Sequence, residues 1–456
     1  MRIFGLLSLL FGLAFAAGGG SSEPVDLTTT WIGIACLIIF VVGYFFIAAE
    51  ENFHINKAKP AMFIGTFMFI LIGFYMVLNG MEISSLKNEV DHLILEISQI
   101  VFFLMVAMTY IEALIERDVF NTLKYNLVSK GYTYKKLFWL TGVLAFFLSP
   151  VADNLTTALI LSTVLITIDR HNTNFLVAGA INIVVAANAG GAWSPFGDIT
   201  TLMAWAAGKA PFIDFLALFP ASLIGWIVTA VLLVRVVPEG SPHFDPATEP
   251  KVTIKKGGKV VIGLGIFTIF SAVMSHQLFH LPAMWGMIFG LSLLSLYTYY
   301  YKRMYKNEEP MHVFHYMSKI ENDTLYFFFG ILAAVGALHY LGFLNHAVAL
   351  YDKFGPTTMN IAVGFLSAIV DNVPVMSAVL KSSPEMGLDQ WLLVTLTAGI
   401  GGSMISFGSA AGVGVMGKLK GIYTFGAHMK HAWTIVVGYI VSLVVWYVQF
   451  EILGLY

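Results

Sequence analysis

Apolar residues run along this chain in long blocks, without the alternation of a strand or the spaced stripe of a water-facing helix. Uninterrupted blocks fall at 31–49, 61–80, 96–115, 213–236, 258–276, 283–301, 324–341 and 430–452. Each is close to the roughly 20 residues a helix needs to cross the hydrocarbon core, so each predicts a span. Four further blocks, 137–168, 175–205, 359–382 and 391–417, are apolar but interrupted. Their interruptions run from Ser149 to Asn154, Asn188 to Asp198, Ser367 to Pro374 and Gly399 to Gly414. Both halves therefore share one order: three spans, a block broken at Asp-Asn, a second broken block and a closing span.

The breaks repeat at the level of residues. Leu148-Ser149-Pro150-Val151-Ala152-Asp153-Asn154 aligns without gaps with Leu366-Ser367-Ala368-Ile369-Val370-Asp371-Asn372. The stretch from Gly190 to Asp198 aligns with Gly401 to Ser409, sharing both leading glycines and the Phe-Gly pair. The common order predicts a duplication, with a first repeat over 31–236, an inner linker over 237–257 and a second repeat over 258–452.

Parity sets the relation between the halves. The arms 137–149 and 156–168 are each short for a crossing, which makes the Asp-Asn block a re-entrant hairpin. Each half then crosses five times, and an odd count inverts the second half, as in many secondary transporters. The basic residues support this scheme. With the mature N-terminus outside, every Lys and Arg except Arg2, Lys87, Lys209, Lys353 and Lys381 falls on the inner side. The fold class expected is thus an all-α polytopic membrane protein of two inverted-topology repeats. Each has three spans, a re-entrant hairpin, a broken helix and a closing span. Segments 116–136 and 302–323 are charged and amphipathic, suited to lie at the inner interface.

Composition sharpens the class. Of 456 residues, 58% are hydrophobic and 11% charged, against roughly 25% charged in soluble domains. A net charge of −2 without a basic block argues against nucleic acid as a partner. The lone cysteine, Cys36, excludes an intrachain disulfide and a thiolate metal cluster. Arg2, the apolar run from Ile3 to Phe15 and the Ala14-Phe15-Ala16 site predict a signal peptide over 1–16. With 37 Phe, 19 Tyr and 9 Trp, the aromatic residues suit lipid contact and interfacial belts rather than a cofactor pocket.

The chemistry lies in the breaks. A carboxylate at membrane depth costs roughly 2.5–3.5 kcal/mol even on the lenient insertion scale, so one at equivalent points of both halves marks function. Non-helical backbone at that depth is tolerated only where protein or a water-filled cavity satisfies it. Four breaks converging near the midplane supply carbonyls, helix ends and short oxygen side chains, ligands suited to a hard cation. The first half offers Ser149, Asp153, Asn154, Thr156, Asn188 and Asp198; the second offers Ser367, Asp371, Asn372, Ser403, Ser406 and Ser409. Each site is expected to join a hairpin tip to the unwound stretch of its own half. Asp153 and Asp371 are the expected carriers of proton or Na+, with Asp198 auxiliary, and Asn154, Asn188 and Asn372 complete the Na+ ligands. Burial favours the protonated acid and a bound cation favours the carboxylate, so the two cargoes exclude one another. Plain helix capping is the competing role for these Asp, Asn and Ser residues. Among the histidines, His92 and His339 near span ends are the candidates for sensing pH, with interfacial packing the competing role.

At these residues the chain resembles NhaD-type sodium/proton antiporters of the ion-transporter superfamily. The resemblance rests on Ser-Pro-Val-Ala-Asp-Asn-Leu-Thr-Thr from Ser149, Asp-Asn-Val-Pro from Asp371, and the Asn-Ala-Gly-Gly stretch from Asn188 ending in Phe-Gly-Asp at Asp198. It implies export of Na+ and Li+ in exchange for protons with no cofactor. It also implies the bacterial inner membrane and a homodimer with scaffold and moving transport domains. Roles follow for Ser149, Asp153, Asn154, Thr156, Asn188, Asp198, Asp371 and Asn372. Ser409 stands where Asp198 would recur, so the two sites are unequal. With five crossings per half, both ends of the mature chain are expected in the periplasm.

Two other readings compete. A sodium-driven symporter of an anion such as a dicarboxylate would share the architecture, but acids at both hairpin tips repel that substrate. An intramembrane aspartyl protease also needs two buried acids. Its Gly-x-Gly-Asp motif is absent, since Asp153 follows Ala152 and Asp371 follows Val370. A transporter rather than an enzyme is expected.

Overall fold

The computed structural model describes residues 25–48, 50–53, 55–242 and 251–455. The signal peptide expected at 1–16 and part of the linker over 237–257 lie outside the described residues. Helices and connecting turns account for the described chain, with no strand among them. This is the arrangement hydrocarbon permits, because a helix satisfies its own backbone.

The first half contains α1 (Trp31–Ala48), α2 (Ala58–Leu78), α3 (Ser84–Glu116), α4 (Val119–Val128), α5 (Tyr134–Ala152), α6 (Asn154–Ile168), α7 (Thr173–Gly191), α8 (Ile199–Ala206) and α9 (Phe219–Leu233). The second contains α10 (Gly258–Gln277), α11 (Ala283–Met304), α12 (Val313–Lys319), α13 (Asn322–Tyr340), α14 (Asn345–Phe354), α15 (Pro356–Ile369), α16 (Asn372–Ser382), α17 (Leu388–Gly401), α18 (Ala410–Lys418) and α19 (Ala432–Tyr447). Every interrupted block in the sequence became two helices: α5 with α6, α7 with α8, α15 with α16, and α17 with α18. The charged segments 116–136 and 302–323 hold the short helices α4 and α12.

Eight helices among the described residues are long and apolar enough to cross a membrane: α2, α3, α5, α7, Phe212–Val236, α10, α13 and Ala432–Ile452. This is a multi-pass membrane protein. One arm departs from the sequence reading. The block 137–149 looked short for a crossing, yet α5 has 19 residues and meets the same criterion as the full spans. Thr133 caps its start by accepting from the Lys136 N–H, and Pro150 is accommodated in its last turn. The partner arm α6 has 15 residues, and α15 has 14.

The helices pack as two groups. In one, α2 lies along α13 and α1, α10 along α11, and α3 against α10, α11, α12 and α13. In the other, α5 pairs with α7, α15 with α17, and α9 with α19. Within this second group the halves interlock: α6 packs on α18 and α8 on α16. The main bridge between the groups is α13 against α16. Glycine allows the tightest crossings. A Cβ on Gly190 would lie 2.3 Å from the Phe146 carbonyl oxygen, and one on Gly401 would lie 2.2 Å from that of Gly364. These two glycines are equivalent in the alignment of the halves, so the same close approach of α5 to α7 recurs between α15 and α17.

Candidate functional site

Each break is built by residues that stop one helix and start the next. Asp153 ends α5 in the left-handed region, at φ 56°, a backbone region few non-glycine residues occupy. Its carboxylate then caps α6, accepting from the Thr156 N–H at 2.8 Å and the Thr156 hydroxyl at 2.7 Å. The second break spreads over two residues. Val370 is extended, and Asp371 accepts from the Val373 N–H at 3.2 Å. Asp198 and Ser409 cap α8 and α18 in the same way, accepting from Thr200 N–H and Gly412 N–H. Capping is therefore real at all four positions, but it leaves most of their polar capacity for other partners.

The remaining capacity of Asp198 and Ser409 goes to one buried cluster. Asn154 Nδ2 donates to Asp198 Oδ2 at 2.7 Å and to Asn188 Oδ1 at 3.0 Å. From the second half, Asn372 Nδ2 donates to both Asp198 oxygens, at 3.2 and 3.0 Å. Asn188 Nδ2 in turn donates to Ser403 Oγ at 2.7 Å and Ser409 Oγ at 2.9 Å. All six side chains are buried. The first hairpin tip meets the unwound stretch of its own half, as expected, through Asn154 with Asn188 and Asp198, and the network also crosses the halves through Asn372, Ser403 and Ser409. The cause is the interlock of α6 with α18 and α8 with α16, which brings each hairpin tip against the other half's broken helix.

The remaining sequence candidates fall around this cluster. Ser149 donates to the Ala187 carbonyl at 2.6 Å, and its counterpart Ser367 to the Ala398 carbonyl at 2.7 Å. Both serines tie a hairpin arm to the end of a broken helix. Ser406 is buried, and among the described residues its hydroxyl has no partner. The same is true of Thr157 and Ser377, in the first turn of α6 and the second turn of α16. Neither was singled out from sequence, where a Thr or Ser in a helical run carries no signal of its own. Buried hydroxyls without partners are rare and costly.

Asp153 and Asp371 flank the cluster, and their surroundings differ. Asp153 lines a crevice of about 350 Å³ together with Asp198. Phe103, Tyr110, Ile266 and Met287 from the first helix group form part of its apolar wall. Asp371 is buried and pairs with Lys57 Nζ at 3.5 Å. The Asp371 N–H donates to the Tyr44 hydroxyl at 2.9 Å. Sequence reading passed over Lys57 and Tyr44, which lie more than 300 positions from Asp371 with no local motif to link them. His339 is also partnered, with Nδ1 3.0 Å from Glu89 Oε1 in a buried pair joining α13 to α3.

The profile of the citrate transporter family matches residues 44–401. More specific similarity covers nearly the whole chain. The Na(+)/H(+) antiporter NhaD of Vibrio cholerae is 42% identical, over 96% of this chain and 96% of that protein. The NhaD of Alkalimonas amylolytica is also 42% identical, over 97% and 95%. The chain belongs to the NhaD-type sodium/proton antiporter family. Similarity extends to plants: sodium/proton antiporter 1 of Arabidopsis thaliana is 31% identical over 85% of this chain and 67% of its own length. Membership accords with the resemblance carried by the Asp-Asn motifs, and with a transporter rather than an enzyme.

Proposed function

We propose that the chain exchanges Na+ or Li+ for H+ by alternating access, with the network around Asp198 as the cation site and Asp153 and Asp371 as flanking carriers. The observation that carries this reading is the Asp198 carboxylate, which accepts amide hydrogens from both halves inside a wholly buried polar cluster. A carboxylate, three carboxamide groups and several hydroxyls form an all-oxygen set once the amides turn their Oδ1 atoms inward, the donor chemistry a hard cation selects. The ends of α7 and α17 contribute helix C-termini, which favour positive charge. Ser406, Thr157 and Ser377 offer hydroxyls that a hydrated ion would satisfy. Transported Na+ and H+ are substrates; the family needs no cofactor.

The exchange logic follows from competition. At the same carboxylate a proton removes the charge that attracts Na+, and Na+ excludes the proton. We take the halves as inverted repeats over 31–236 and 258–452, joined by an inner linker, with the Asp-Asn blocks as re-entrant hairpins. The matched order of elements and the equivalent close contacts at Gly190 and Gly401 support that reading. The α1–α3 and α10–α13 group then serves as scaffold and the α5–α9 and α15–α19 group as the moving transport body. The protein would sit in the bacterial inner membrane as a homodimer, with both mature termini periplasmic.

Symport of a citrate-like anion is the weaker reading. The citrate transporter profile matches, but three acids at the breaks set negative charge against a multiply charged anion, and the full-length relatives carry antiporter names. A ΔpH assay in everted vesicles tests the choice. Added Na+ or Li+ should dissipate the gradient, and Asp153→Asn, Asp371→Asn and Asp198→Asn should each abolish the response. Full activity in the Asp153 and Asp371 variants would overturn the carrier assignment, and citrate-stimulated Na+ uptake would overturn antiport.

A further inference from the structure

Lys57 stands at the start of α2, in the first helix group, yet its ammonium reaches Asp371 at the second hairpin break. The same ammonium lies 4.2 Å from the centre of the Phe327 ring on α13. Beside it, the Tyr44 hydroxyl of α1 accepts from the Asp371 N–H. Side chains of one helix group therefore hold Asp371 of the other: Lys57 at its carboxylate, steadied by Phe327, and Tyr44 at its backbone N–H. The equivalent acid has nothing comparable: among the described residues the Asp153 carboxylate accepts hydrogen bonds from Thr156 and makes no ion pair.

The contact is built to be broken. A well-formed ammonium–carboxylate hydrogen bond is about 2.7–2.9 Å long, whereas Lys57 sits 3.5 Å from Asp371. Lysine is a point charge on a flexible four-carbon stem, without the fork that clamps a carboxylate. The pair also borders space into which the stem can withdraw. Lys57 lines a cavity of about 540 Å³ between the two groups, with Glu50, Glu321 and Asp323 from one side and Leu155, Leu159 and Gly414 from the other.

Resting on the transport reading above, we infer that Lys57 is a tethered counter-ion that locks the empty carrier. With no cargo on Asp371, the ammonium holds the moving body to the scaffold. Na+ arriving at Asp371 meets the carboxylate's charge, Lys57 swings into the cavity, and the body is free to move. The lock has a purpose specific to exchange, since an empty carrier that crosses the membrane lets Na+ run down its gradient without a returning proton. Lys57 is thus a positioning residue for coupling, acting through Asp371. Displacement of its ammonium opens the lock.

The test uses purified full-length protein in proteoliposomes, with Na+ efflux and H+ uptake recorded together. In Lys57→Gln, Na+ efflux should persist with a lowered H+/Na+ ratio, and KM for Na+ should fall by about threefold to fivefold, as expected on removing an internal competitor of ion-pair strength. Lys57→Arg should keep coupled exchange. A wild-type ratio and KM in Lys57→Gln would overturn the lock. Against the chance that this variant folds badly, Lys57→Cys in a Cys36→Ser background allows chemical rescue. An aminoethyl thiosulfonate should restore coupling and its neutral methyl analogue should not; equal effects of the two reagents would overturn the inference. Asp371→Asn separates the levels. If it retains full exchange, the carrier reading fails at that residue. If it is inactive while Lys57→Gln behaves as wild type, only the lock fails.

Discussion

Asp198 draws hydrogen bonds from Asn154 and Asn372 on both of its oxygens, whereas Ser409, its aligned counterpart, accepts from Asn188. The two positions should respond differently to the loss of their polar groups. Ser409→Ala removes one of the hydroxyls that Asn188 uses and leaves Ser403 in place, so it should raise KM for Na+ while exchange continues. Asp198→Asn leaves the cluster without its acid and puts carboxamide donors against one another. Exchange should vanish while the protein still purifies as a folded species, as read by size-exclusion profile and ΔpH assay. Glu89 and His339 form a different kind of pair, buried and remote from the breaks. Removing one partner of a buried pair strands the other, at about 3–5 kcal/mol. Glu89→Ala should therefore lower thermal stability in detergent sharply, and Glu89→Leu with His339→Leu should recover much of it.

At the level of elements, the glycines at the crossings of α5 with α7 and α15 with α17 are the sensitive points. A methyl group at Gly190 or Gly401 must push a backbone carbonyl away, and overpacking of that kind costs about 1–3 kcal/mol. Gly190→Ala and Gly401→Ala should each lower the melting temperature, whereas Gly263→Ala, which meets nothing within 4 Å, should leave it unchanged. The elements themselves were legible in the sequence because apolar blocks of spanning length have few other solutions. The breaks were legible because Asp, Asn and paired glycines stand out in such blocks. What the sequence withheld was partnership across distance. The pattern that revealed two like halves also suggested that each would build its own site. Nothing local to Asn372 indicates that it reaches Asp198, nor does the run before α2 indicate that Lys57 reaches Asp371. The arm 137–149 reads short for a related reason: Tyr134, Lys135 and Lys136 look like the end of the charged segment 116–136, but the Thr133 cap draws them into the first turn of α5.

At the scale of the whole molecule, two helix groups meet along a seam where, among the described residues, cavities open at Lys57, Asp153 and Glu112. If transport moves one group past the other, chemical ties should act according to which groups they join. Leu155 on α6 and Gly414 on α18 touch within the moving group, where a Cβ on Gly414 would lie 2.7 Å from Leu155 Cδ1. Paired cysteines there, once linked, should leave exchange intact. Glu96 on α3 and Lys381 on α16 form an ion pair across the seam at 3.0 Å. Cysteines at those two positions, joined by a bifunctional thiol reagent, should stop exchange until the link is cleaved. Equal effects from both links, measured by Na+ flux in the same vesicles, would argue against relative movement of the groups.

The cluster that joins the halves has a consequence for ancestry. Two copies of the amino-terminal half, assembled face to face, would set one Asp198 carboxylate beside another and double a charge the interior tolerates poorly. Two copies of the carboxy-terminal half would pair Ser409 with itself and have no acid at the centre. If the halves descend from one duplicated segment, the divergence of Asp198 from Ser409 would tie each half to the other.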